Sequence, residues 1–255
     1  MPESEIENDK IGQVIEKIHN ESPDKGYRRI RDDLKRYHDI NVNDKRVLRI
    51  CRKKNIKSTI KYSNSGCTRQ AINPQHIAEN ILNREFQADS PNEKWLTDVT
   101  EFKYYTGPQV HKIYLSAILD LYDRRIVSFV IGDSNNNALV FDTFDKAVEA
   151  NPDAHPLFHS DRGFQYTNRT FHTKLENAGM VQSMSRVARC IDNGPMEGFW
   201  GILKRERYYG KQFTDKASLV KMIEDYIYYY NNKRLQRNLG VLTPMEKHQI
   251  YLQAA

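Results

Sequence analysis

From Lys94 onward the chain becomes a series of strand-like segments, and the order of these segments and their helices narrows the fold sharply. Trp95–Tyr104 alternates and is rich in Thr, Val, Phe and Tyr, whose branched or flat side chains suit a pleated, half-buried surface. His111–Tyr122 and Arg125–Gly132 repeat that texture and are joined by turn chemistry around Asp123. Helical spacing then takes over across Asn136–Asn151, with Leu139, Phe141, Phe144, Ala147 and Val148 as the packing set. A strand over Pro156–Ser160, a helix over Thr167–Ala178, a strand over Met180–Met184 and a helix over Gly194–Tyr208 complete the order. Three strands followed by alternating helix and strand predict an α/β domain, a mixed sheet with helices packed on it. No internal repeat interrupts it.

The charge lies elsewhere. The whole chain of 255 residues has a net charge of +6, but residues 1–24 hold seven acidic and two basic side chains. Residues 25–70 hold fifteen basic and four acidic, and the remainder holds 22 of each. A basic block beside a neutral body marks a surface that meets polyanions, nucleic acid above all; the alternative is a solvated helical face. Within and before this block, Ile11, Val14, Ile15 and Ile18 have helical spacing, and Ser22–Gly26 is turn chemistry. A second helix sets Tyr27, Ile30, Leu34 and Tyr37 on one face and Arg28, Arg29, Arg31 and Lys35 on the other. Asn41–Asn43 can cap a third, with Val47, Leu48 and Cys51 inward and Lys45, Arg46, Arg49, Arg52 and Lys53 outward. Three short helices ending in a basic one resemble a helix-turn-helix region that contacts DNA; the alternative is a bundle packed against its neighbour. The expected organisation is a helical, basic region over 1–57, a linker over 58–93 with one short helix near Pro74–Phe86, an α/β core over 94–210 and a C-terminal helical extension over 211–255 packed on that core.

No apolar run approaches the ~20 residues that span a bilayer, and the acidic start is the opposite of a secretory leader. Cys51, Cys67 and Cys190 are too few and too scattered for a disulfide framework. A cytoplasmic protein without a membrane partner is expected.

Three acidic residues stand out by position. Asp98 lies inside a strand in Trp95–Thr100, Asp161 just past one in His159–Gly163, and Glu197 early in a helix after Asp192-Asn193-Gly194-Pro195. A carboxylate within a Val/Thr/Trp strand is costly to bury without a partner, and a hard cation such as Mg²⁺, which prefers oxygen ligands, supplies one. Two such ions can activate the attacking oxygen and stabilise the leaving oxygen of a phosphoryl displacement. Between these acids lie 62 and then 35 residues. Asp120 reads as structural, Asp123 as a turn residue and Glu206 as a second helical acid without that entry motif.

These spacings, with Gly26–Ile30, Lys45–Arg49, Trp95–Thr100, His159–Tyr166, Asp192–Leu203 and Tyr230–Pro244, resemble the DDE superfamily of transposases and retroviral integrases. More narrowly, the chain is similar to the second-frame product, often called OrfB, of bacterial insertion sequences of the IS-three family. The resemblance runs from about residue 26 to residue 246. It implies an RNase H-like catalytic domain preceded by a small helical DNA-binding region, with Asp98, Asp161 and Glu197 as metal-binding catalytic carboxylates. It also implies Mg²⁺, with Mn²⁺ able to substitute, for hydrolysis at the element ends and attack of the freed 3′-hydroxyl on another strand.

The implied partners are insertion-sequence ends and target DNA, further copies of this chain on DNA, and an upstream-frame transposase product. Lys204 and Arg205 are expected to follow Glu197 along its helix toward the phosphate backbone, against the alternative of ordinary solvation. Asn193 and His159 either orient active-site groups or close turns. In the third motif Ala188 replaces the small flexible residue common in the family. His19, His38, Cys51 and Cys67 are too widely spaced for a zinc module. The other function classes are a DNA-binding regulator of the same ends that does not cut, and a nuclease on RNA–DNA hybrids, which leaves the basic helices unexplained.

Overall fold

The computed structural model describes residues 3–60, 74–186 and 190–254. Ala188 and Cys67 therefore lie outside the described residues. The chain divides at Ser63 into two compact units.

The first unit is three helices, α1 (Glu3–Glu21), α2 (Tyr27–His38) and α3 (Asp44–Lys53). Ile11, Ile15 and Ile18 of α1 pack on Ile30 and Leu34 of α2 and on Val47, Ile50 and Cys51 of α3. The first helix is longer than its apolar spacing indicated, because its early turns are mostly polar and solvent-facing. Asn43 caps α3 by accepting from the Arg46 N–H at 2.8 Å, which satisfies one orphan donor of the first turn. Asp39 ends α2 with φ 53°, a left-handed turn that Asp tolerates through its short polar side chain. Two expected inward residues change place. Tyr37 is 58% exposed at the end of α2, and Ile50 takes the buried position in α3 while Leu48 is half-buried.

The second unit is a five-stranded sheet with helices on both faces. Its strands are β1 (Lys94–Thr106), β2 (Gln109–Asp120), β3 (Ile126–Gly132), β4 (Leu157–Ser160) and β5 (Val181–Met184), in the order β3-β2-β1-β4-β5. β1 and β2 form a long antiparallel hairpin in which Trp95 faces Asp120 and Thr106 faces Gln109. β3 continues it antiparallel, whereas β4 pairs parallel with β1 and β5 parallel with β4, the two reached through the helices α4 (Asn137–Ala150) and α5 (Arg169–Asn177). This is the RNase H-like mixed sheet flanked by helices that the resemblance implies.

Strand alternation divides the core. Trp95 and Ile118 turn to the α4–α5 face with Phe144, Phe158 and Phe171. Leu96, Phe102, Leu115 and Ala117 turn to the other face, against α6 (Gly194–Leu203) and α7 (Lys216–Asn232). Successive strand residues point to opposite faces, so Asp98 shares the side of Leu96 and looks toward α6.

Two expectations are corrected here. The stretch 74–86 is not helical, because its backbone is engaged by the edge of the sheet. Met184 N–H donates to the Glu79 carbonyl at 3.1 Å, and Ile81 and Leu82 N–H donate to Ser183 Oγ at 3.0 and 3.1 Å. Leu82 is buried in the core, so this part of the anticipated linker belongs to the second unit. The helix expected over Gly194–Tyr208 is α-helical only to Leu203 and then widens into a π-helical turn, Lys204–Tyr208. A last helix, α8 (Pro244–Ala254), follows α7. No helix among the described residues is long and apolar enough to cross a membrane.

Candidate active site

Asp98 sits at the middle of β1, flanked by the fully buried Thr97. Thr97 is fixed twice, its hydroxyl donating to the Ala117 carbonyl at 3.0 Å and lying 3.3 Å from Tyr166 Oη. Asp161 follows the last residue of β4, the strand paired beside β1. Its Oδ1 accepts from the Gly163 N–H at 2.8 Å, which closes a tight turn. A methyl group at position 163 would stand 3.0 Å from both Asp161 Oδ1 and Gln165 Oε1, so the turn favours a residue without Cβ. Glu197 is exposed in the first turn of α6, where an acidic side chain complements the helix dipole.

The Asp161 charge acts on both of the other carboxylates, and that of Glu197 acts on Asp98. Burial, then Asp161 and more weakly Glu197, push the Asp98 carboxyl up to about 8, against the opposing hydrogen bonds of Val99 and Trp200. Burial also raises Asp161, while Gly163 lowers it. Glu197 is raised by burial and by Asp161. Tyr166 lies deep beside these groups, its phenol held well above the ordinary range by burial and then by Asp98 and Asp161.

The convergence expected of the three side chains is partial. Among the described residues, no three His, Cys, Asp or Glu side chains close into a ready-made metal cage. Asp98 is instead turned toward Trp200, whose Nε1–H donates to Asp98 Oδ2 at 3.0 Å, and Glu197 stands on the exposed side of the same helix. The donor set still fits a hard divalent cation. All donors are carboxylate oxygens, two of them pushed upward by a neighbouring acid, and Mg²⁺ needs only one or two carboxylates alongside water and substrate phosphate.

The loop entering α6 is held by a second set of polar contacts. Asp192, fully buried, accepts from Arg186 Nε at 3.0 Å, Arg186 Nη2 at 3.0 Å, Arg84 Nε at 2.7 Å and Asn80 Nδ2 at 3.0 Å. The Arg186 bond foremost holds its carboxyl well below the usual range, with Arg84 assisting. Asn193 Nδ2 donates to the Thr97 carbonyl at 3.0 Å, tying the loop to β1. His159, also fully buried, bridges β4 and β5 through Ser183 Oγ at 2.9 Å and Ser185 Oγ at 3.1 Å. Burial lowers its pKa to about 4 despite the nearby Asp192.

Trp200 and Tyr166 lie inside stretches that carry the resemblance without being marked as site residues there, and Arg84 lies outside them. Trp200 was within reach, since it lies three residues after Glu197 and so one helical turn along. Tyr166 and Arg84 approach from a loop and from the stretch read as linker, and spacing carries no such signal. The other anticipated acids are structural. Asp120 Oδ2 accepts from Asn92 N–H at 2.7 Å, and Asp123 Oδ2 lies 2.8 Å from His248 Nδ1. Glu206 is buried against Arg234 Nη2 at 2.8 Å and the Tyr226 hydroxyl at 3.0 Å.

The basic residues distribute unevenly. In the first unit Lys45, Arg49, Arg52 and Lys53 lie along α3 and are all exposed, and Arg28 sits beside the Tyr27 ring. Arg46 instead bonds Glu7 at 2.8 Å and Asn8 at 2.8 Å, and Arg29 bonds Asp24 at 3.1 Å. In the second unit Lys204 Nζ lies 5.1 Å from the centre of the Phe102 ring, and Arg205 is half-buried in the π-helical turn.

Comparison with known proteins accords with this geometry. Residues 88–190 and 197–250 match family profiles described as integrase core domains, and residues 6–63 match an HTH-like domain. The chain is 36% identical over 250 residues to the putative transposase InsK of insertion sequence element IS150 from Escherichia coli K12, spanning 96% of this chain and 86% of that one. It is 40% identical over 206 residues to an uncharacterized transposase-like protein of Haemophilus influenzae, spanning 81% of this chain and 93% of that one. In fold it is similar to a chain of the simian T-cell lymphotropic virus intasome solved with the PP2A regulatory subunit B56 gamma. That likeness has a TM-score of 0.54 at 16% identity, over 85% of this chain and 73% of that one. The protein belongs to the insertion-sequence transposases built on an integrase core domain with an HTH-like N-terminal region.

Proposed function

We propose that this chain is a DDE transposase, a metal-dependent enzyme that cleaves the ends of its insertion sequence and joins them to DNA. The observation that carries the reading is the placement of Asp98 on β1, Asp161 just past the adjacent β4, and Glu197 on α6, near enough for the Asp161 charge to act on both others. Magnesium, or manganese in its place, would be held by these three carboxylates and would supply an activated oxygen nucleophile and a stabilised leaving oxygen.

The protein's own contribution is placement. Gly163 N–H and Trp200 Nε1–H hold Asp161 and Asp98 in fixed orientations. Glu197 stays at the exposed rim, where a phosphodiester can approach. Lys204 and Arg205, beyond Glu197 on the same helical stretch, draw the phosphate backbone toward the carboxylates. Contacts of that kind raise affinity without reading sequence. In the first unit Lys45, Arg49, Arg52 and Lys53, with Arg28, Arg29 and Arg46, form the surface that engages the element ends. Joining two ends requires copies of the chain to assemble on DNA, and an upstream-frame product is a further expected partner. The setting is the bacterial cytoplasm.

The test is Asp161→Asn, assayed on a plasmid carrying the element's own ends. Cleavage should fall about a thousandfold, the order seen when a transition-state contact is lost, while circular dichroism and DNA binding stay near wild type. Full cleavage by the variant overturns the assignment. Wild-type binding without cleavage, even with the upstream-frame product supplied, identifies a regulator instead.

A further inference from the structure

We infer that Trp200 is a positioning residue, setting the orientation of the Asp98 carboxylate and locking the helix of Glu197 against β1. This inference rests on the reading of Asp98, Asp161 and Glu197 as metal ligands. Helix α6 is fastened to β1 by two side-chain hydrogen bonds ending on consecutive strand residues. Asn193 Nδ2 donates to the Thr97 carbonyl at 3.0 Å, and Trp200 Nε1 donates to Asp98 Oδ2 at 3.0 Å. The two donors lie about two helical turns apart, and Glu197 sits between them.

Both ends of the clamp are rigid. Thr97 is held by Ala117 and Tyr166, and Asn193 follows the Asp192 knot of Arg186, Arg84 and Asn80. The Trp200 residue is 6% exposed and packs on Phe199 at a centroid distance of 5.0 Å. A slide of α6 by one residue, about 1.5 Å along its axis, would break both bonds.

The chemistry of the donor makes Trp200 more than packing. An indole N–H donates and never accepts, so it fits a carboxylate oxygen and leaves that group's remaining lone pairs for a cation. Partners of this kind fix the orientation of metal ligands, and their loss typically weakens metal affinity about 10- to 100-fold. Phenylalanine at this position would keep most of the packing and remove the hydrogen bond.

The chain contains two tryptophans, so the ¹⁵N-labelled protein gives two indole N–H resonances, assigned with Trp200→Phe. The other, Trp95, donates to Asn92 Oδ1 at 3.2 Å and serves as an internal control. The Trp200 resonance should move in metal-free Asp98→Asn, and in the wild type on titration with Mg²⁺, while that of Trp95 stays in place. Trp200→Phe should bind Mn²⁺, measured by electron paramagnetic resonance, about tenfold more weakly, and saturating Mn²⁺ should restore most of its plasmid nicking.

An unmoved Trp200 resonance in Asp98→Asn overturns the proposal, as does unchanged Mn²⁺ affinity in Trp200→Phe. A wild type whose Mn²⁺ binding is unaffected by Asp161→Asn and Asp98→Asn overturns the ligand reading itself, and the positioning role with it. The metal-free comparison still reports the hydrogen bond in that case, so the two failures are separable.

Discussion

His159 shows how a single buried side chain couples the sheet to pH. Both ring nitrogens are engaged by serine hydroxyls, and burial lowers its pKa to about 4. The folded state therefore keeps the imidazole neutral where an unfolded chain, with a pKa near 6.5, takes up a proton. The resulting stability is complete above about pH 6.5 and is lost progressively as pH falls toward 4, by on the order of 3 kcal/mol at most. Urea unfolding between pH 7 and 4 should show a flatter decline for His159→Gln than for wild type, and identical slopes would contradict this account. At this scale the sequence was legible where chemistry is rare. A carboxylate inside a Val/Thr/Trp strand has few explanations, and Asp98 stood out for that reason. Trp200, by contrast, reads as one more aromatic on an apolar helix, because its significance lies in which atom its N–H meets across the fold.

The elements around the site owe their geometry to contacts that hydrophobic spacing does not encode. The π-helical turn Lys204–Tyr208 carries Glu206 into the core, where Arg234 and the Tyr226 hydroxyl meet it. Glu206 is buried and Arg234 half-buried, so removing the guanidinium takes two hydrogen bonds and the opposite charge from a buried carboxylate. Arg234→Ala should lower stability by about 3–5 kcal/mol, measured as a shift in the urea midpoint, whereas a loss below about 1 kcal/mol would show the pair to be dispensable. Helical periodicity continues smoothly through this turn, which is why the widening after Leu203 is not visible in the sequence. The order of strands and helices was legible for the opposite reason. Alternation on β1 and β2 and the apolar stripe of α4 persist along the length of each element, so each pattern outweighs local noise. The stretch 74–86 is not a helix because its donors and acceptors are spent on β5, a partner about a hundred residues away.

Across the whole molecule, charge and chemistry occupy different units. The first unit buries Asp24, Asp32 and Asp33 against Arg29, Arg31 and Lys25, which leaves the outer face of α3 strongly cationic. Combining Lys45→Ala, Arg49→Ala and Arg52→Ala should weaken DNA binding and reduce the dependence of log affinity on log salt by about 2 to 3, if each side chain neutralises one phosphate. An unchanged salt slope in filter binding would place the DNA surface elsewhere.

The claim that joins these scales is that three carboxylates on β1, beyond β4 and on α6 act together on a phosphodiester. Nicking of supercoiled plasmid by the full chain, in Mg²⁺ or Mn²⁺ and with Glu197→Gln alongside, tests it most directly. The account predicts nicking that requires metal and disappears in the variant, with DNA binding retained. Nicking that persists in Glu197→Gln, or that proceeds in chelator, would contradict it.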